Sequence, residues 1–241
     1  MIKVFSTAEA LCAEAMELFI SLAQKNILAK GSFEVALSGG RTPNLLYDML
    51  AKEENASRVD WKNVFVFWGD ERYVDFDNKD NNSFQARQHL LDHVGIPEEN
   101  IYRIPVNGDH VADAAAYQHI IREHFKTALP VFDLLFLGMG EEGHTASIFP
   151  GSALLHETET LVKDIYVEVK QMQRISFTPA LINAAKEIVF MVTGDEKAPA
   201  LKEVLEGAYD PDLYPAQIVK PVNGHLTWLL DTGAAELLEK K

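Results

Sequence analysis

The sequence predicts an α/β fold: a single doubly wound, mostly parallel sheet with helices on both faces. Short β-rich runs alternate with helical stretches along the chain, and several runs are apolar at nearly every position, as expected of strands covered on both sides. Three of the runs are followed directly by polar or glycine-rich clusters. In an open parallel sheet the loops leaving the carboxyl ends of the strands converge on the ligand crevice.

The elements follow in order. Residues 8–24 form the first predicted helix, with Leu11, Ala15, Leu18 and Leu22 at helical spacing and Ser6 or Thr7 as N-cap. Strands are expected at Phe33–Leu37, Val64–Trp68, 132–137, 188–193 and 226–230. Further helices are expected at 43–52, 82–93, 111–127, 179–185 and 197–206. With no internal repeat, low-complexity tract or linker, residues 1–241 read as one domain.

Composition narrows the function. Hydrophobic residues make up 47% and charged residues 24%, the balance of an ordinary globular chain. No run approaches the roughly 20 apolar residues that span a bilayer. Glu9, Glu14 and Glu17 interrupt the apolar amino end, so it reads as an amphipathic helix rather than a signal peptide. The glycosylation-like triplets at Asn55 and Asn81 then lack a secretory context. Cys12 is the only cysteine, which excludes an internal disulfide or a cysteine-based zinc cluster and suits a reducing, cytoplasmic setting. A net charge of −14 argues against a general nucleic-acid binder, yet a few cations placed in a pocket can still hold a small anion.

Three clusters carry the candidate chemistry. Ser38-Gly39-Gly40-Arg41-Thr42-Pro43 joins a strand to a helix start, where free N–H groups and the helix dipole favour phosphate; a plain strand–turn–helix corner is the alternative. It is neither a P-loop nor a dinucleotide fingerprint. Gly69-Asp70-Glu71-Arg72 places three charges directly after an apolar strand, expected at the sheet edge and, on local grounds, solvated. Gly138-Met139-Gly140-Glu141-Glu142-Gly143-His144-Thr145-Ala146-Ser147 sets a histidine in a glycine loop with carboxylates two and three positions earlier, the ingredients of an oriented general base. Other residues read as structural. His89 and His93 share a helix face but lack the glutamate and third ligand of a metal site. His119 and His124 are five apart and do not align, and Ser147 lacks a nucleophile elbow and reads as a loop hydroxyl.

Together, LSGGRTP, WGDERYV, the Asn-Asn pair followed by Ala-Arg, LGMGEEGHTASIFPGS, RISFTPALINAAKEIVFMVTGDEKA, YPAQIV and TWLLD resemble the 6-phosphogluconolactonase family, part of a wider group with glucosamine-6-phosphate deaminases. The resemblance runs through most of the chain, and GHTASIFPG is its most specific piece. It implies a Rossmann-like fold of the sugar-phosphate isomerase/deaminase type and hydrolysis of 6-phospho-D-glucono-1,5-lactone in the oxidative pentose phosphate pathway, with no metal or organic cofactor. Carried over by position, it implies that Gly39, Gly40, Arg41 and Thr42 form the phosphate loop, joined by Arg174 and Lys197. Asp70, Arg72 and His144 would surround the lactone ring, with Ser38, Asn82 and Gly143 as further substrate contacts and Glu142 beside the base. The implied partner is a small sugar-phosphate lactone, with no nucleic acid or membrane, for a monomer or weak homo-oligomer.

Deaminases typically carry Asp-Glu-Tyr in place of Asp70-Glu71-Arg72, and Gly-His-Ile-Ala-Phe-Asn in place of the run from Gly143 to Ile148. A deaminase or isomerase, and a non-catalytic sugar-phosphate sensor, remain the alternative readings. The chain departs from the usual pattern in having Glu142 where Asp is usual and Asp75 where Pro is usual. It also has Asn81-Asn82-Ser83 for Ser-Asn-Tyr.

Overall fold

In the computed structural model, residues 1–239 are described; Lys240 and Lys241, within the expected domain span, lie outside the described residues. The strands are β1 (Ile2–Phe5), β2 (Phe33–Leu37), β3 (Val64–Trp68), β4 (Asp70–Arg72), β5 (Leu134–Leu137), β6 (Val162–Val167), β7 (Met172–Phe177), β8 (Glu187–Val192) and β9 (His225–Asp231). The α-helices are α1 (Ala8–Lys30), α2 (Arg41–Leu50), α3 (Glu53–Ala56), α4 (Asn82–His89), α5 (His110–Phe125), α6 (Pro179–Ile182) and α7 (Ala198–Glu206). Six strands form a parallel sheet in the order β1-β9-β8-β5-β2-β3. The interior strands β2 and β5 are buried at every position, which is why β5 is an unbroken apolar run and β2 is apolar at every position but Glu34, rather than alternating. Among the described residues no helix is long and apolar enough to cross a membrane.

The chain places β3 on one side of β2 and then returns to place β5 on the other. The order of strands therefore reverses between β2 and β5. In a doubly wound sheet the crevice opens at such a reversal, beyond the carboxyl ends of the two strands. The loops that leave those ends are Ser38–Gly40 and the run from Gly138 to Ser147.

Helix ends follow their capping chemistry. Thr7 is the N-cap of α1, its hydroxyl accepting from the Ala10 N–H at 3.2 Å. The helix runs to Lys30, past the predicted stop at 24, and ends where Gly31 takes the left-handed conformation and donates its N–H to the Ile27 carbonyl. Helix α4 stops at His89, short of 93, because Leu90 leaves helical geometry before a separate 3-10 turn. At the far edge, β1 pairs with β9, and the Met1 amino group bonds the Leu226 carbonyl across 225 positions of chain.

The expectation of one sheet needs an addition. Strands β4, β7 and β6 form a separate three-stranded antiparallel sheet, none of which the sequence reading identified. The pairing of β4 with β7 sets Asp70 opposite Ser176, Glu71 opposite Ile175 and Arg72 opposite Arg174. Side chains alternate across a strand, so Asp70 and Arg72 share one face with Arg174 and Ser176, while Glu71 points to the other.

This corrects the solvated reading of Asp70-Glu71-Arg72, because Asp70 and Glu71 are buried. Glu71 accepts N–H bonds from Asn82 (2.6 Å), Ser83 (2.9 Å) and Arg72 (2.9 Å), serving the first turn of α4 in the manner of an N-cap. Burial pushes its carboxyl up to about 8, against the pull of those three donors. Truncation would strand buried N–H groups, each costing about 1–3 kcal/mol. Glu71→Ala is expected to lower unfolding free energy by about 3 kcal/mol; a loss under about 0.5 kcal/mol in urea titration would show that the cap is dispensable.

Candidate active site

Loops at the carboxyl ends of β2, β5 and β8, together with β4, β7 and the start of α4, enclose a cavity of about 280 Å³. Its wall includes Ser38, Gly39, Gly40, Arg41, Thr42, Asp70, Arg72, Asn82, His144, Arg174 and Lys197. Eleven of the thirteen residues expected at a site thus meet in one place, although the sequence spreads them over some 160 positions.

The phosphate-loop candidate has the required backbone. Gly40, with φ at +117°, is the N-cap of α2, so the helix opens towards the cavity with its first N–H groups unpaired by side-chain caps. Its neighbour Gly39 is needed for space: a Cβ there would lie 1.8 Å from Asn82 Oδ1. Thr42 faces Thr193 at the end of β8, with their hydroxyls 2.7 Å apart. Cys12 sits beneath this corner, its thiol donating to the Thr42 carbonyl at 3.4 Å, and burial pushes it up to about 11, so packing is its role.

Opposite stands a cationic wall. Arg72 and Arg174 face each other across β4 and β7, a pairing of like charges that is unfavourable unless an anion lies nearby. Asp70 supplies part of it, with Oδ2 3.8 Å from Arg174 Nη1 and accepting from Ser147 Oγ at 2.7 Å. Ser147 also lies 3.5 Å from Arg174 Nη1. The loop hydroxyl is therefore a buried link between acid and base, which its sequence context did not reveal. Burial pulls the Arg174 guanidinium below its usual range, and Arg72 adds to that while Asp70 opposes it. The Nε atoms of both arginines and Asn82 Oδ1 are buried without a partner, polar capacity held in reserve at the cavity wall.

His144 closes the third side. Gly140 N–H donates to the His144 carbonyl at 2.9 Å, and Gly143, at φ +79°, turns the chain between them. Gly143 itself is off the cavity wall: its Cα faces Tyr214, and its carbonyl accepts from Ala216. Gly143 is thus one of the two expected site residues that the structure does not bring to the cavity. Glu142 likewise lies outside the main cavity, in an adjoining one of about 360 Å³ shared with His144, Lys170 and Lys197. Its Oε2 is 3.2 Å from His144 Nδ1, yet Nδ1 is buried with no aligned hydrogen bond, so the contact is electrostatic. The imidazole holds the Glu142 carboxyl down at about 2.

Phe149, Thr193 and Glu196 were not anticipated. Thr193 and Glu196 line the cavity at the exit of β8, a position that strand-end reasoning could have reached. Phe149 is brought back over His144 by the turn at Thr145–Ile148, in which Ala146 has φ +48°. Their ring centroids are 3.9 Å apart at an interplanar angle of 16°. Among the described residues no group of three or more His, Cys, Asp or Glu is arranged to hold a metal ion; His89 instead pairs with Asp48 at 2.7 Å, and His124 packs against Phe65 and Phe67.

The chain matches known proteins along nearly its whole length. The family described as glucosamine-6-phosphate isomerases/6-phosphogluconolactonase matches residues 6–228. The 6-phosphogluconolactonase of a Nostoc species is 38% identical over 244 residues, covering 98% of each chain. That of a Synechocystis species is 42% identical over 219 residues, covering 89% of this chain and 88% of the relative. The solved 6-phosphogluconolactonase from Trypanosoma cruzi superposes with a TM-score of 0.89 at 28% identity, covering 99% of this chain and 96% of the other.

Two outcomes test this geometry. A Cβ at Gly140 would lie 2.0 Å from His144 Nδ1 and 2.6 Å from Glu142 Oε2. Gly140→Ala is therefore expected to cut lactonase turnover about 100-fold through displacement of the imidazole, with an unchanged cooperative unfolding transition; wild-type turnover would show that the close approach is irrelevant. The second concerns pH. A carboxyl lowered in the folded state from 4.5 to about 2 stabilises the fold above about 4.5 and loses that contribution as pH falls towards 2. The stability gap between wild type and Glu142→Gln should accordingly narrow as pH falls below about 5, measured by urea unfolding down to pH about 3.

Proposed function

The chain belongs to the family of glucosamine-6-phosphate isomerases and 6-phosphogluconolactonases, its activity is hydrolysis of 6-phospho-D-glucono-1,5-lactone to 6-phospho-D-gluconate in the pentose phosphate pathway, and we propose that His144 is the general base of that reaction. The observation that carries the proposal is the position of the imidazole. Nδ1 is turned inward against Gly140 and Glu142, which leaves Nε2 as the ring nitrogen available to the cavity.

A lactone carbonyl is already electrophilic, so the enzyme has to activate water and stabilise an oxyanion. With a proton on Nδ1 beside the Glu142 carboxylate, the Nε2 lone pair takes a proton from water as its oxygen attacks C1. The tetrahedral oxyanion then collapses with cleavage of the C1–ring oxygen bond, and the imidazolium returns its proton to the departing oxygen. Arg72 and backbone N–H groups of the glycine loops supply positive charge for the oxyanion or for ring hydroxyls. Asp70, set by Ser147, is placed to accept from a ring hydroxyl, with Asn82 and Ser38 beside it.

The phosphate belongs at the start of α2, held by the N–H groups after Gly39 and Gly40 and by Arg41, Thr42, Arg174 and Lys197. Binding energy from this remote group would hold the carbonyl in line with the water, which raises turnover rather than only affinity. The lone buried thiol of Cys12 supports a cytoplasmic setting.

With freshly prepared lactone, the protein should hydrolyse the ester well above the spontaneous rate, and His144→Ala should lose about 10²–10⁴-fold in kcat. Retention of more than about a tenth of wild-type kcat by the variant would remove His144 from the base role.

A further inference from the structure

General-base histidines usually have their plane set by a hydrogen bond at the second ring nitrogen. Here that bond is missing: Nδ1 is buried and unpaired, and the nearest carboxylate oxygen, at 3.2 Å, is off the donor direction. Two contacts remain that can define the imidazole plane. One is the bare Cα of Gly140 against the ring edge, where a Cβ would be 2.0 Å from Nδ1 and 2.2 Å from Cε1. The other is the face of Phe149, stacked at 3.9 Å and 16°.

Phe149 is itself well fixed. It is buried, with 6% of its surface exposed, and follows directly on the Thr145–Ile148 bridge. The Arg174 guanidinium carbon lies 5.6 Å from its ring centroid, so the same aromatic ring touches the base and a cation of the anion-binding wall.

We propose that Phe149 is a positioning residue for His144: its ring face holds the imidazole plane that the misaligned Glu142 contact leaves undefined, and its π-electrons favour the imidazolium formed when the base takes a proton. The role rests on the assignment of His144 as base. It divides the labour at that base between two neighbours, with Glu142 providing negative charge and Phe149 providing orientation. It also gives Arg174 a contact with the base through a shared aromatic ring, distinct from its place on the wall.

The charged groups around His144 are Glu141, Glu142, Lys170 and Lys197 in the adjoining cavity, and Asp70, Arg72, Arg174 and Glu196 across the main one. A change at Phe149 leaves all of these in place, so a shift in titration can be traced to the ring. Phe149→Leu keeps bulk and loses the aromatic face, whereas Phe149→Tyr keeps the face. Steady-state kinetics across pH should give a kcat about tenfold lower for Phe149→Leu, with KM within about twofold, and an acid limb of kcat/KM about half a pH unit lower. Phe149→Tyr should restore both.

NMR titration of the His144 ring signals, identified by their loss in His144→Ala, should give the same half-unit shift without reference to turnover. A Phe149→Leu protein with wild-type kcat and an unmoved titration would overturn the proposal. So would a loss confined to KM, which would assign Phe149 to the anion wall through Arg174. If His144→Ala stays active, it is the base assignment that fails, and the two failures are told apart. Should Phe149→Leu unfold, the Tyr variant and Phe149→Met decide the same question, Met being expected to behave as Leu.

Discussion

Two arginines set directly opposite one another on neighbouring strands are a standing electrostatic problem, and much of the molecule is arranged around it. The register of β4 on β7 puts Arg72 beside Arg174. One carboxylate, Asp70, stands on the same face, so positive charge remains in excess along that wall. A surface like that is at its lowest energy with an anion bound. The small antiparallel sheet can thus be read as a device for holding two guanidinium groups where a sugar phosphate will pass. The parallel sheet supplies the opposing wall, and Ser147 ties the two together by bonding to Asp70.

The same register explains why the charged triplet after β3 serves two purposes. Alternation sends Asp70 and Arg72 towards the cavity and Glu71 away from it, onto the first turn of α4. That turn begins at Asn82, whose side chain donates to the Asp70 carbonyl at 2.9 Å and stands in the space that only a glycine at position 39 leaves open. Cavity wall, helix start and glycine loop therefore share a chain of contacts three residues long. A change at any of them propagates by displacement, because cores and close-packed walls have little slack.

The parallel sheet was legible because its interior strands are buried on both faces, which leaves an unbroken apolar run such as Leu134–Leu137 in plain view. The strands of the second sheet were not. Val162–Val167 and Met172–Phe177 carry polar residues on their exposed side, and Asp70–Arg72 is three charges whose burial depends on partners far away in sequence. The cavity wall was legible through glycine clusters at strand ends and through the family resemblance. Ser147 and Phe149 were not, since their places beside the site come from contacts with Asp70 and His144 that a turn creates in space. The place of Gly143 was hidden for a related reason: its left-handed backbone marks a turn, and the turn points its Cα at Tyr214 instead of the cavity.

The pairing of β1 with β9 has a consequence for how the protein is made. Strand β1 leaves the ribosome well before the strand it pairs with, which lies some 225 positions later. Until β9 emerges, β8 has an unfilled edge next to it, and the exit of β8 carries Thr193, Glu196 and Lys197. One wall of the cavity is therefore backed by an incomplete sheet from the emergence of β8 until that of β9. Binding competence should arrive late and in one step, so nascent chains spend little time holding an anion in a half-built pocket.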